Sequence, residues 1–542
     1  MKSRVITLFL VISFMGTIVL FSRQFRVSQI PNGSVNSCQN CHMSQFGGDA
    51  RNDFGKLVET RFLSSPGAAG NVQWSPLLAS LDADNDGVTN GQELQDPYGM
   101  WTSGASNPGN SDLVSEPGNS SSSPLSSLEI NFSGMTPHVD QTLYLRIIDK
   151  LNGTEVGRTS TQISESFNLS LDVIIPGRSY TIDFFADHNE NGLYDSPPAD
   201  HAWRLELDDA HGDDVINFEH NTDFTDIDWK YLFTLNLTGM TPHLDQLMEI
   251  RVEDDLTSEE VGRKRIEFIP QADFSVSIPG LELNKEYKVE FYADHNGNGI
   301  YDAPTTDHAW ELEFQSTNGD SEVAFSHNTD FTDIDWKYLY TLNLVSMTPH
   351  LGQKFELRIY RGDNQEELGR VTIDEISGED FSVSIPQIET EHNYVVDFYA
   401  DHNGNGEYDA PPTDHAWRLN FNSSSGNFVQ NFTHNTEFTD IEWPGISSVG
   451  DQEVPLSYDL KQNYPNPFNP STTVSFSIPS AGTVTLKVYD ILGREVAVLL
   501  DRKMNAGQHD VTFDASNFES GVYIYRIQSD NFTDSKKMIL LK

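Results

Sequence analysis

Phe184-Phe185-Ala186-Asp187-His188-Asn189-Glu190-Asn191-Gly192-Leu193-Tyr194-Asp195 occurs three times in this chain with small changes, its Asp187 recurring as Asp294 and Asp401, 107 residues apart. An Asp-His-Ala-Trp segment recurs in step at His201, His308 and His415, and a His-Asn segment at His220, His327 and His434. Met-Thr-Pro-His opens each unit, with His138, His243 and His350. A period of this length is too long for a solenoid and suits a domain with its own core. Runs such as Leu143-Tyr144-Leu145-Arg146-Ile147 and Phe274-Ser275-Val276-Ser277-Ile278 alternate in character, as half-buried strands do. Strands at roughly ten-residue spacing point to an immunoglobulin-like β-sandwich. The chain therefore reads as mainly β and multidomain, with three tandem immunoglobulin-like β-sandwich repeats at 128–229, 230–336 and 337–443.

In the first repeat, strands are expected at about 128–134, 142–148, 156–163, 166–173, 179–186, 202–207 and 214–219. If chain direction reverses at each strand, three places share one pole. They are the loop with His138, the loop with His188 and His201, and the end of the last strand with His220. The other repeats supply His243, His295, His308 and His327, then His350, His402, His415 and His434. Neutral imidazoles grouped with carboxylates suit Zn, Cu, Ni or Fe. The alternative is that each histidine caps a turn or bonds a buried carbonyl.

The opening stretch also matches most of a calcium loop, with oxygen side chains at positions 1, 3, 5 and 9 and glycine at 6. These are Asp187, Asn189, Asn191 and Asp195, then Asp294, Asn296, Asn298 and Asp302, then Asp401, Asn403, Asn405 and Asp409. The bidentate glutamate of position 12 is missing. Asp200, Asp307 and Asp414, two residues beyond that position, are its candidate replacements.

A fuller loop lies near the N-terminus, where Asp82, Asp84 and Asp86 precede Gly87 and Glu93 closes a twelve-residue Ca2+ motif. The carbonyl of Val88 is expected at position 7, and Pro97 prevents a complete helix-loop-helix hand. Upstream, Cys38-Gln39-Asn40-Cys41-His42 has the spacing of covalent haem c, with His42 as iron ligand. A short disulfide or dithiol is the other reading.

This N-terminal region, about 27–110, resembles the temptin family. The matching residues are Ile30-Pro31-Asn32-Gly33, Gly47-Gly48, Arg51-Asn52, Phe54-Gly55 and Trp74, then the calcium loop running on through Leu94, Asp96-Pro97 and Trp101. The resemblance implies a secreted protein acting in protein association. It departs at the family's disulfide, since Ala79 and Tyr98 stand in the equivalent region.

Lys2 and Arg4 precede an uncharged run from Val5 to Phe21, the layout of a secretory signal, read here as 1–26 and removed after Sec export. The alternative is an uncleaved anchor. No later segment is apolar and long enough to span a bilayer, so the mature chain is expected to have no transmembrane segment. Residues 111–127 and 444–457 have linker composition.

At the other end, 458–542 reads as a small β-domain. Asn463-Tyr464-Pro465-Asn466-Pro467-Phe468-Asn469-Pro470, Val488-Tyr489-Asp490-Ile491-Leu492-Gly493-Arg494-Glu495-Val496, Ser520-Gly521-Val522-Tyr523 and Lys536-Lys537-Met538 resemble the type A C-terminal sorting domain of the type IX secretion system. The resemblance implies a small β-sandwich and handling by that secretion machinery, leading to the outer-membrane surface or the medium.

The chain carries 34 basic and 81 acidic side chains, net −47, of which −44 falls between 128 and 457. Such acidity excludes nucleic acid as a natural partner. No nucleophile elbow, zinc-protease helix or phosphate loop is found, and no enzyme is expected. The first expectation is a secreted, cell-surface-attached calcium- and metal-binding protein of structural or binding role, for an unidentified extracellular ligand. The alternatives are a c-type haem electron-transfer protein and a surface metal-sequestering protein.

Overall fold

The computed structural model describes residues 24–423, 426–443, 459–463, 466, 468–478, 482–490, 494–504, 507–515, 518, 520–529 and 532–541. The leader expected at 1–26 lies outside the described residues up to position 23, as does the linker at 444–457. Arg26 belongs to the folded N-terminal domain, where its guanidinium donates to the carbonyls of Gly70 (3.0 Å) and Gly67 (2.7 Å).

Alternating side chains build seven strands in the first repeat: β1 (Ser126–Ser133), β2 (Thr142–Asp149), β3 (Thr154–Gln162), β4 (Phe167–Ile174), β5 (Tyr180–Ala186), β6 (His201–Leu207) and β7 (Asp214–Glu219). They form two sheets, β4-β1-β7 and β3-β2-β5-β6. β1 runs antiparallel to β4 but parallel to β7. Direction reverses at every strand, so the first and seventh must point the same way. Leu128, Ile130, Leu143, Leu145, Ile182 and Phe184 fill the space between the sheets. The same order recurs from Tyr231–Thr238 to Ser321–Ser326 and from Tyr338–Val345 to Phe428–Thr433.

The outer face of each four-stranded sheet is also covered, because the chain leaving β7 crosses it. Asp183 is fully buried there between Arg146 and Arg204. Arg146 and Arg158 stack over Trp229 at 5.2 and 4.8 Å. Tyr194, in the acidic loop, donates its N–H to Tyr231 Oη of the next repeat at 2.8 Å. Arg251, Arg263, Trp336, Tyr301 and Tyr338 repeat this junction one unit later.

The N-terminal domain holds three short helices, each begun by its own side-chain cap. Asn52 caps α1 (Asp53–Arg61), Ser75 caps α2 (Pro76–Ser80), and Thr89 with Gln92 forms a capping box on α3 (Asn90–Glu93). Ile30, Phe54, Leu57, Leu78 and Leu94 make its core. Residues 111–119, expected as linker, are packed on this domain instead. Ser115 is buried and its hydroxyl donates to Glu93 Oε1 at 2.8 Å. Small polar residues there make close turns, with Asn110 capping a 3-10 turn at Ser111–Leu113. The N-terminal domain and the three sandwiches cluster as one compact unit.

The C-terminal domain has its own two antiparallel sheets. Asp459–Leu460, Ser471–Ile478 and Gly507–Asp514 form one; Gly482–Asp490, Glu495–Met504, Gly521–Ser529 and Phe532–Leu540 form the other. Among the described residues, no helix is long and apolar enough to cross a membrane.

Candidate metal centres

The loop between α2 and α3 is folded by its own carboxylates. Gly87 N–H donates to Asp82 Oδ2 (3.0 Å), Asp86 N–H to Asp84 Oδ1 (3.4 Å) and Val88 N–H to Asp86 Oδ1 (2.8 Å). Asn85 and Gly87 take left-handed conformations, φ 61° and 94°, that turn the chain sharply. One oxygen of each acid is left over. Asp82 Oδ1, Asp84 Oδ2, Asp86 Oδ2 and Glu93 Oε2 are all buried without a hydrogen-bond partner. Carboxylate oxygens of Asp82, Asp84 and Asp86 lie within 4.8 Å of one another. Burial, followed by the charge of Asp84, pushes Glu93 up to about 10. Burial and the neighbouring acids raise Asp84 to about 7, and burial raises Asp86 to about 6. Gathering four acids out of water with no cation between them is unfavourable; an oxygen-seeking divalent ion reverses the sign.

The repeats use the same loop skeleton. Gly192 N–H donates to Asp187 Oδ2 (2.8 Å), Asn191 N–H to Asn189 Oδ1 (3.1 Å) and Leu193 N–H to Asn191 Oδ1 (2.7 Å). Glu190 and Gly192 take the left-handed turns, φ 59° and 76°. The interior differs, because Asn189 and Asn191 donate their amides to Asp195 Oδ2 at 2.8 and 2.7 Å. Asn296 and Asn298 do the same to Asp302, as do Asn403 and Asn405 to Asp409. Asp200 is fully buried and accepts N–H bonds from His188, Asn189 and Asp195. It braces the loop from beneath, so its oxygens are committed to the backbone and not aimed at position 12. Asp307 and Asp414 hold their loops the same way.

Beside these loops, each sandwich gathers its four histidines at one pole. His138 ends a 3-10 turn between β1 and β2, His188 follows β5, His201 begins β6 and His220 follows β7. The parallel β1–β7 pairing continues into His220, whose N–H donates to Ser133 O. His138 Nε2 lies 3.2 Å from both His220 Nε2 and His201 Nδ1. In the second repeat His243 Nε2 is 3.1 Å from His327 Nε2 and 3.4 Å from His308 Nδ1. In the third, His350 Nε2 is 3.5 Å from His415 Nδ1, and His434 Nε2 is buried with no partner. His188, His295 and His402 stack on His201, His308 and His415 at about the same spacing, 4.5, 4.5 and 4.4 Å.

Burial pushes these imidazoles toward the neutral form: it lowers the central His138 and takes His201, His243 and His350 each to about 4. Sequence reasoning missed the residue that orients them. Gln141 takes His138 Nδ1–H on its Oε1 (2.8 Å) and reaches His188 Nδ1 with its amide (3.0 Å). Gln246 and Gln353 stand in the same place, and the His-x-x-Gln spacing was the available signal.

The Cys38–His42 motif does not present itself to a porphyrin. Cys38 is buried, and Cys41 packs against the domain's apolar core. Burial pushes the Cys41 thiol up to about 12. His42 turns Nδ1 to the carbonyl of Asp49 at 3.2 Å. A haem joined through both sulfurs needs them to face a wide opening beside His42. Here Cys38 is buried and Cys41 is half-buried against the core, so the residues as arranged do not fit covalent haem.

Residues 20–119 match the family described as Temptin C-terminal. Temptin of Aplysia californica is 34% identical over 119 residues, 22% of this chain and 92% of that protein. The chain belongs to the temptin family. The relationship rests on its N-terminal domain, so the calcium-type loop lies within the temptin-family part and the histidine poles lie outside it. This temptin-family domain is docked on the sandwiches through an ion pair of Arg61 with Glu267, a Lys56–Asp245 contact at 3.2 Å, and Asn431 Nδ2 donating to Tyr98 O at 2.7 Å.

Residues 462–541 match the secretion system C-terminal sorting domain. The chain is thus a secreted multidomain protein with the tail handled by the type IX machinery. Among solved structures, a tetra-tandem repeat from the extending region of a large adhesion protein covers 76% of this chain and 99% of its own, at 10% identity and TM-score 0.13. The fimbrial anchor protein Mfa2 of Porphyromonas gingivalis covers 32% and 80%, at 11% identity and TM-score 0.14. Likeness of that degree says nothing of function.

Proposed function

We propose that this is a non-catalytic binding protein of the cell exterior, in which calcium orders the temptin-family domain for an extracellular partner. The observation behind this reading is the set of four buried, unpartnered carboxylate oxygens of Asp82, Asp84, Asp86 and Glu93. A calcium ion there ties α2 to α3. Through Glu93 and Ser115 it also ties the segment that leads into the repeats. Type IX export would then display the domain on the outer-membrane surface or release it. Outside the cell, millimolar calcium is available to a site with four acidic ligands.

The test is calorimetric titration of the chelator-stripped full chain with CaCl2. One tight site is expected in the wild type and absent in Glu93→Gln, which keeps the shape and removes one charge. Saturation at 100 times Kd stabilises the folded state by about 2.7 kcal/mol, read as a rise in Tm. Equal calcium uptake by wild type and variant would sink the reading.

A further inference from the structure

The twelve histidines at the sandwich poles have no task in the calcium reading, and their geometry is specific. Two nitrogens on a tetrahedral ion with metal–nitrogen bonds of 2.0–2.1 Å sit about 3.3 Å apart. The observed separations, 3.2 and 3.2 Å in the first repeat, 3.1 and 3.4 Å in the second and 3.5 Å in the third, bracket that value.

The protonation pattern also suits a cation. Gln141 Oε1 lies 2.8 Å from His138 Nδ1; with the proton on that nitrogen, the Nε2 lone pair faces the other rings. An outer-shell acceptor on the far nitrogen is the usual way a ligating histidine is oriented. The setting is partly dehydrated, with Trp203 edge-on to His138 at 5.7 Å and Phe224 stacked on His201 at 4.0 Å. His188, stacked on His201 at the open side, brings its ring nitrogen within 4.8 Å of those of His138 and His201.

We propose that each sandwich holds one first-row transition-metal ion of the zinc and copper class. The ligands are His138, His188 and His201 in the first repeat, His243, His295 and His308 in the second, and His350, His402 and His415 in the third, whose ring nitrogens lie within 4.8 Å of one another, with His220, His327 and His434 beside them as the fourth imidazole. Gln141, Gln246 and Gln353 are positioning residues. Nitrogen-only, neutral donors select these ions over calcium, which takes oxygen. The site stands apart from the calcium loop, and its test runs in calcium-saturated buffer so that either reading can fail alone.

The full chain, stripped of metal and resupplied with calcium, is titrated with Zn2+ and separately with Cu2+. Three equivalents per chain are expected for at least one of the two; because Cu2+ outbinds Zn2+ at most nitrogen sites, the stoichiometry and not the affinity ranking is the readout. His308→Gln should lower the count to two, with the outer repeats as internal control. His201→Gln, His308→Gln and His415→Gln combined should abolish binding, while far-ultraviolet circular dichroism reports that the fold persists. Less than one equivalent of either ion at about 10 µM free metal, where a well-formed zinc site is full, would overturn the proposal whatever the variants do. So would three equivalents retained by the triple variant.

Discussion

Glu267 shows how one side chain can join two domains. It is 1% exposed and accepts from Arg265 at 2.6 Å and from Arg61 of the temptin-family domain. Burial alone would raise its carboxyl, yet the guanidiniums of Arg265 and Arg61 hold it below the usual range. Glu249, buried against Arg265 and Arg263, is shifted the same way. A carboxylate with a depressed folded pKa adds stability above its unfolded value, about 4.3, and loses it as pH falls through the folded value. Tm should therefore drop as pH is taken below about 4. Glu267→Gln should cost about 3 kcal/mol at neutral pH, because it leaves two arginines short of a charge, and should flatten the acid drop. An acid profile identical in wild type and variant would contradict this assignment.

At the level of elements, the two kinds of acidic loop share a backbone and differ in charge. The temptin-family loop collects four carboxylates around its interior. Each repeat loop brings Asp187 and Asp195, or their counterparts, with two amides between them. Calcium affinity follows the count of charged ligands. Titration of the full chain should show one tight phase followed by a weaker one of three sites, and Asp195→Asn should shrink only the second. A single phase untouched by Asp195→Asn would mean the repeat loops are structural turns. The loops were readable from spacing, and the strand parity that brings His138, His188, His201 and His220 together followed from counting reversals. The role of Asp200 was not readable, because its three N–H donors come from a turn whose closure depends on tertiary packing. Nor was the docking of 111–119. Serine-rich composition is common to linkers and tight turns, and only the buried Ser115–Glu93 bond separates them.

For the whole molecule, the charge of −47 acquires a partial explanation. The near-neutral ends are residues 1–127, which include the temptin-family domain, and the sorting domain. The acidic middle is the set of sandwiches, whose loops gather carboxylates and whose poles gather histidines. Part of that charge is engaged by Arg146, Arg204 and Arg418 on buried Asp183 and Asp397, and the rest faces solvent. The proposed sites would fill outside the cell, so native metal content is the property that bears on every part of the account. The decisive measurement is elemental analysis of the protein purified from its own host in buffer free of chelator. The account predicts at least one calcium and three zinc or copper ions per chain. A chain carrying neither calcium nor a transition metal would contradict it.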